Sequence, residues 1–248
     1  MNNFYKTNGS KYAINHDFFI NINTEQQAYL LGFYVADGNV NEKRKTFRIC
    51  ITEEDRKILE MFKTNISPES RMYYYKPYQI SGRNGKVYTG KPKWAYDVNS
   101  SKLVNSLVNL GYGYNKTYSH LHLPKLNDEL LLHFIRGYFD GDGWVTVWTD
   151  AEKNKKPRVR CNVGICNKHC DLLKEIQLFF EKYNIHFKLV YMKRDDMYKI
   201  TLQSKKELTE FFNLFYKNAH LFLNRKKQKL ENYVNTEILH KTSEDCNA

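Results

Sequence analysis

One short pattern occurs twice in this chain of 248 residues, and it limits what the chain can fold into more than any other feature. Ala28-Tyr-Leu-Leu-Gly-Phe-Tyr-Val-Ala-Asp37-Gly38-Asn-Val40 returns as His133-Phe-Ile-Arg-Gly-Tyr-Phe-Asp-Gly-Asp142-Gly143-Trp-Val145, an offset of 142 − 37 = 105 that also puts Gly32 on Gly137 and Gly38 on Gly143. Three positions of special character in register mark a duplicated unit. The segments C-terminal to the two copies keep the same order of elements. A hairpin (Val40, a basic turn, then Thr46 to Thr52) leads to a helix with Ile58, Leu59, Phe62 and Ile66 on one face. In the second copy a longer hairpin (Trp144 to Trp148, then Arg158 to Cys166) leads to Leu172, Leu173, Ile176, Phe179 and Phe180. A second hairpin comes next in each, Arg71 to Ile80 with Lys86 to Val98, and His186 to Lys193 with Tyr198 to Gln203. A closing helix then runs over Ser101 to Leu110 or Lys205 to Tyr216. The pattern predicts an α+β fold of two pseudo-symmetric αββαββα units. Their expected limits are residues 1–116 and 128–248, joined over 117–127, where Pro124 interrupts regular structure.

Thr24, with Gln27 three residues on, reads as a capping box at the start of the first motif helix, and Asn127 or Asp128 as the cap of the second. Both helices are apolar nearly all round, which predicts burial on every side. Gly32 and Gly137 lie mid-helix, where glycine costs about 1 kcal/mol against alanine. Close backbone approach between two packed motif helices offsets that cost. In a parallel pair the C-terminal ends meet, each with an Asp followed by Gly at the C′ position. Two carboxylates at the negative ends of two helix dipoles call for a cation, and oxygen-only ligation suits Mg²⁺.

These residues carry a resemblance. Leu30-Leu-Gly-Phe-Tyr-Val-Ala-Asp37-Gly38 and Ile135-Arg-Gly-Tyr-Phe-Asp-Gly-Asp142-Gly143 resemble the two signature motifs of a single-chain LAGLIDADG homing endonuclease, and the lead-in from Asp17 to Tyr29 is similar to phage and bacterial members. The resemblance implies a saddle of antiparallel strands on double-stranded DNA. It also implies double-strand cleavage of a long asymmetric site across the minor groove, leaving short 3′ overhangs, by a monomer. It places metal ligation on Asp37 and Asp142 with the carbonyls of Ala36 and Gly141, served by Mg²⁺ with Mn²⁺ able to substitute. It places a lysine near each attacking water, at Lys116 and Lys226. Asp140 matches the earlier acid of the motif, but Val35 stands at its counterpart, so Asp140 is assigned a structural role. A catalytically silent nucleic-acid binder of the same fold, an intron RNA maturase or a transcription regulator, is the competing reading, and retention of both acids favours catalysis.

Charge points to the same partner. With 39 Lys and Arg against 27 Asp and Glu the chain is at +12, with a pI near 9.3, which asks for a polyanion. Period-2 strands carry that charge on one face. Arg44, Thr46 and Arg48 alternate with apolar residues in the first unit, continued by Tyr73, Tyr75, Gln79, Arg83, Lys93 and Tyr96. Arg158, Arg160 and Asn162 do so in the second, continued by Lys188, Tyr191, Lys193, Arg194, Lys199 and Gln203. Such side chains read base edges from a two-stranded ribbon in a major groove. No apolar run is long enough for a membrane span, and the polar N-terminus predicts an unsecreted, cytoplasmic protein, bacterial, phage or organelle encoded. Five cysteines fit a reducing compartment. Cys161, Cys166, His169 and Cys170 superficially suggest zinc, but Cys161 and Cys166 fall on a strand that should be packed, so no zinc is expected.

Overall fold

The computed structural model describes residues 4–7, 10–82, 85–150 and 157–245. After a short ribbon of β1 (Phe4–Tyr5) and β2 (Ile14–Asn15), the chain runs α1 (Glu25–Asp37), β3 (Gly38–Asn41), β4 (Thr46–Thr52), α2 (Arg56–Ile66), β5 (Met72–Tyr75), β6 (Gln79–Ser81), β7 (Val87–Thr89), β8 (Lys93–Asn99) and α3 (Ser101–Asn109). It continues with α4 (Asp128–Asp142), β9 (Gly143–Asp150), β10 (Arg158–Asn167), α5 (Asp171–Glu181), β11 (Lys188–Met192), β12 (Met197–Leu202), α6 (Lys205–Phe212), a wider helical turn over Asn213–Lys217, and α7 (Asn224–Asp245). Two four-stranded antiparallel sheets result, ordered β3-β4-β8-β5 and β9-β10-β12-β11. The same strand order in both halves is the duplication expressed in space.

The motif helices are capped as their sequences dictate. Thr24 accepts from the Gln27 amide at 3.2 Å, and Asn127 accepts from the Leu130 amide at 2.9 Å. Residues Ala28 to Val35 of α1 are buried, as are Phe134 to Asp140 of α4, because each helix is covered by its partner and by the sheets. A Cβ built on Gly32 would lie 1.9 Å from the Phe134 carbonyl oxygen, and one on Gly137 would lie 1.9 Å from that of Tyr29. The helices therefore run parallel with their backbones in contact, and only glycine permits the approach.

Gly38 and Gly143 stop the helices by a different device from the left-handed C′ glycine. Both have extended backbone, with φ −80° and −77°. What excludes a side chain is space, since a Cβ would fall 2.1 Å from the Tyr34 ring and 2.5 Å from the Phe139 ring. Each chain thus passes straight from a motif helix into the first strand of its sheet, fixing the motif acid at the junction.

The expected continuous hairpin from Arg71 to Val98 is interrupted. β5 pairs with β8, but β6 and β7 form a separate ribbon beyond them. Pro77 and Pro92 flank the break on opposite arms, and neither can donate to a ladder. Where the second unit has only residues 193–196 between β11 and β12, the first therefore carries an extra arm.

Candidate active site

The acids and lysines singled out by the motifs converge where the motif helices end. A Cβ on Gly141 would meet the Ala36 Cβ at 2.2 Å and the Asp37 Oδ2 at 3.1 Å, so Asp37 lies against the other motif's penultimate residue. Asp37 and Asp142 are exposed at the tips, while Lys116 and Lys226 are buried to 9% and 4% exposure. Each lysine satisfies orphan carbonyls at a helix end. Lys116 Nζ donates to the Ala36 carbonyl at 3.3 Å. Lys226 Nζ donates to those of Phe139 at 2.7 Å, Asp140 at 2.6 Å and Gly141 at 3.3 Å. The ammonium groups also lie over equivalent rings, Tyr34 at 5.7 Å and Phe139 at 5.4 Å. Ala36 and Gly141 are 105 apart, like Tyr34 and Phe139, so the two arrangements are copies.

Their electrostatics reflect this crowding. The Asp142 carboxylate reaches water on one side, yet the protein around it removes enough solvent to push its pKa up to about 6. The neighbouring Asp37 charge adds to that, against the pull of Lys116 and Lys226. Burial likewise raises Asp37, with Lys226 the strongest opposing charge and Lys116 next. Burial lowers Lys116, countered first by Asp142 and then by Asp37, and brings Lys226 down to about 8. A cleft of about 230 Å³ contains Lys116, Asp142 and Ala36 together, with Cys166, Lys168 and Met197 on its wall. Lys116 thus shares a cleft with Asp142, and of the two lysine charges Lys226 opposes the rise at Asp37 more than Lys116 does. The cleft brings the acid of one unit to the lysine of the other, which distance along the chain does not show.

Asp140 is fully buried and accepts from the Tyr29 hydroxyl at 2.8 Å, the Tyr216 hydroxyl at 2.6 Å and the Leu223 amide at 2.7 Å. With its acceptors taken up inside the core, it ties α1 to the segment before α7. Its first-motif counterpart, Val35, is buried among apolar groups.

The sheet faces sort the remaining candidates by strand parity. Arg48 pairs across to Asp97, Cys50 to Ala95 and Thr52 to Lys93, and Tyr73 and Tyr75 share that face. Arg48 donates to the Tyr75 hydroxyl at 2.8 Å, and Thr46 to Asn99 at 2.7 Å. Arg44 is exposed in the turn. In the second unit Arg158, Arg160 and Asn162 share a face with Lys199 and Lys188, and Asn162, Lys188, Lys199 and Gln203 line a depression of about 350 Å³. Lys193 and Arg194 are exposed at the turn beyond.

Two expectations fail and one is displaced. Tyr96 is completely buried, because it lies three residues from Lys93 and so projects on the opposite face, with Val98. Tyr191 pairs with Tyr198 off the face of Lys188 and Lys199, and its hydroxyl donates to Asp196 at 2.7 Å. Gln79 belongs to the separate arm, and Arg83 lies outside the described residues. Cys161 and Cys166, five apart on β10, face opposite sides. Residues the motifs did not flag are Lys168, which salt-bridges Asp196 from the cleft wall, and Arg225, which grips Asp55 at 3.0 and 2.9 Å across the units. Arg225 was detectable as the neighbour of Lys226; Lys168 carried no signal.

Among solved structures the chain is similar to the I-SmaMI LAGLIDADG homing endonuclease bound to cleaved DNA, at TM-score 0.59 and 13% identity over 90% of this chain and 91% of that one. It is also similar to I-GzeII in complex with its DNA target, at TM-score 0.55 and 12% identity over 87% and 91%. An uncharacterised protein of Methanocaldococcus jannaschii, MJ0314, is 26% identical over 182 residues, 73% of this chain, which spans 62% of that relative's length. The family model for the LAGLIDADG-like domain matches residues 24–67 and 129–215, more than half of the chain and both motifs. With that match and two motif helices packed as copies, this chain belongs to the LAGLIDADG family, as a single-chain member with two motifs.

Proposed function

We propose that the protein is a site-specific, Mg²⁺-dependent DNA endonuclease that cuts both strands of a long asymmetric duplex across the minor groove, leaving short 3′ overhangs, and acts as a monomer. The observation that carries this is the meeting of two motif carboxylates at the tips of parallel helices, each with a buried lysine beside it. The oxygen set fits a hard divalent cation. Asp37 and Asp142 offer carboxylates, and the carbonyls of Ala36 and Gly141 each keep a lone pair beside the lysine they accept from. Among the described residues no cluster of three or more His, Cys, Asp or Glu surrounds these acids. Water and substrate phosphate would complete the ligation, as Mg²⁺ prefers. When bound, such an ion supplies Lewis-acid activation of water and charge neutralisation at the phosphodiester.

The chain supplies the remaining functions. Lys116 and Lys226 are fixed to helix ends, so their ammonium groups meet developing charge on a phosphate without reorganising. The polar faces of both sheets, rich in Arg and Lys, hold the duplex by its phosphates and present Arg48, Arg160 and Asn162 to base edges. Because the faces differ between units, the favoured site lacks two-fold symmetry.

A decisive test selects cleaved duplexes from a randomised library with Mg²⁺, then measures binding and cutting of the recovered site by Asp37→Asn and Asp142→Asn. Binding is expected to stay within about threefold, and double-strand cleavage to fall by roughly 1,000-fold or more. Cutting at the normal rate by either variant would overturn the assignment. A wild-type protein that binds selected DNA but never cuts it is a binder of the same fold.

A further inference from the structure

Each of the two buried lysines reaches its helix end from a backbone segment that must itself be held, and the two halves hold it in different ways. Before Lys226, the Leu223 amide and the Tyr216 hydroxyl are bound by Asp140 at 2.7 and 2.6 Å. Arg225 then pairs with both oxygens of Asp55, which lies just ahead of α2 in the opposite unit. The segment of Lys116 lacks the acid, because Val35 stands at that position, and on its N-terminal side its own unit holds it through the Tyr112 carbonyl, which accepts from the Tyr34 hydroxyl at 2.8 Å, and the Tyr114 amide, which donates to Glu42 at 3.0 Å.

Beyond Lys116, on its C-terminal side, it is gripped from the start of α5. The His169 ring lies 3.1 Å from the Tyr118 carbonyl and stacks on His120 at 4.1 Å. His120 Nδ1 is 2.5 Å from Asp171, and His122 Nδ1 is 2.6 Å from Glu175. The Leu123 amide donates to the other Glu175 oxygen at 2.6 Å. Cys50 answers Cys166 in the repeat, so the offset 166 − 50 = 116 sets Asp55 on Asp171. The same acid in each unit thus holds the lysine-bearing segment of the other.

Resting on the endonuclease reading above, we infer that Asp171 and Glu175 position Lys116 for one scissile bond, that Asp55 positions Lys226 for the other, and that each strand's cut is set by the opposite unit. Single exposed pairs contribute little. Four hydrogen bonds and a ring stack on one short segment act together, and a displaced ammonium loses its value steeply with distance.

The test tracks the two strands separately, using a selected duplex labelled differently on each. D171N/E175Q is expected to slow one strand roughly 10- to 100-fold and Asp55→Asn the other, so nicked product accumulates with opposite polarity. Equal slowing of both strands, or no slowing, overturns the inference, since general loss of structure cannot separate the strands. Amide hydrogen exchange on the free protein supplies a readout without DNA. Residues 118–123 should exchange faster in D171N/E175Q while 223–227 do not change, and unchanged protection over 118–123 overturns the inference. Faster exchange there in a protein that cuts neither strand upholds the positioning and counts against the endonuclease reading.

Discussion

Asp142 occupies a position where a carboxylate costs stability until a cation arrives. Its pKa in the folded protein is raised from 3.8 to about 6, by burial first and Asp37 second. A carboxyl group whose proton is held more tightly when folded makes stability fall as pH rises between 3.8 and about 6, and above that window the loss is complete. Asp142→Asn removes the loss, so without divalent metal at pH 8 the variant should be more stable than the wild type by about 1 kcal/mol. That figure is well below the full linkage value because the carboxylate reaches water. For a chain of this size it corresponds to a melting midpoint higher by about 2–4 °C. The gain should vanish at pH 3.5, and added Mg²⁺ should raise the wild-type midpoint but not the variant's. Equal midpoints at pH 8 in chelator would show that Asp142 carries no such burden. Asp37 and Asp142 could be found from the sequence because their signal is local, an acid and a glycine closing an apolar helix. Tyr96 and Tyr191 misled because period-2 logic works only once the facing residue is known, and a tyrosine suits either face of a sheet.

At the scale of elements, the motif helices were the most legible part of the chain. Caps, apolar surround and mid-helix glycines all describe one object, a buried parallel pair. Gly137→Ala tests it directly. The new Cβ would sit 1.9 Å from the Tyr29 carbonyl oxygen, and backbone cannot step aside as a flexible side chain does. Separation of the helices is the only relief. The expected cost is about 3 kcal/mol, the upper end for overpacking, with Gly32→Ala costing about the same because it meets Phe134 in the same way. Urea denaturation reads the loss, and a change below about 1 kcal/mol would mean that the helices tolerate separation. Elements without a repeated partner were harder to read. α7 buries Leu230, Tyr233 and Val234, a correct helical spacing set in a strongly basic run that masks it. The placement of Lys116 in one cleft with Asp142 is a property of how the copies face each other, and no spacing along one copy contains it.

The whole molecule combines near-exact internal symmetry at its seam with asymmetry at its edges. The seam repeats glycines, aromatic rings and lysine contacts, while among the described residues only the first unit carries an arm like that of β6 and β7. That arm exposes Tyr78 by 50%, Ile80 by 42%, Val87 by 62% and Tyr88 by 50%, a mixture suited to contact with a partner surface rather than to water alone. Under the proposed function that partner would be DNA flanking the first half of the site, so protection should extend further on that side. The paired part of the arm is three residues long, and at about 3.3 Å per residue it covers the length of roughly three base pairs. Replacing residues 77–91 with a four-residue turn like that at 193–196 should shorten the protected region by that amount on one side and leave the other side and the cut positions unchanged. Binding should weaken steeply with salt in both proteins, because phosphate contacts by Lys and Arg release counterions. The shortened protein should show the shallower slope, having lost the charges of Lys86 and Lys91 and kept those of the sheets. Identical footprints and identical slopes would mean that the arm points away from the duplex, and the asymmetry of the site would then rest on the sheet faces alone.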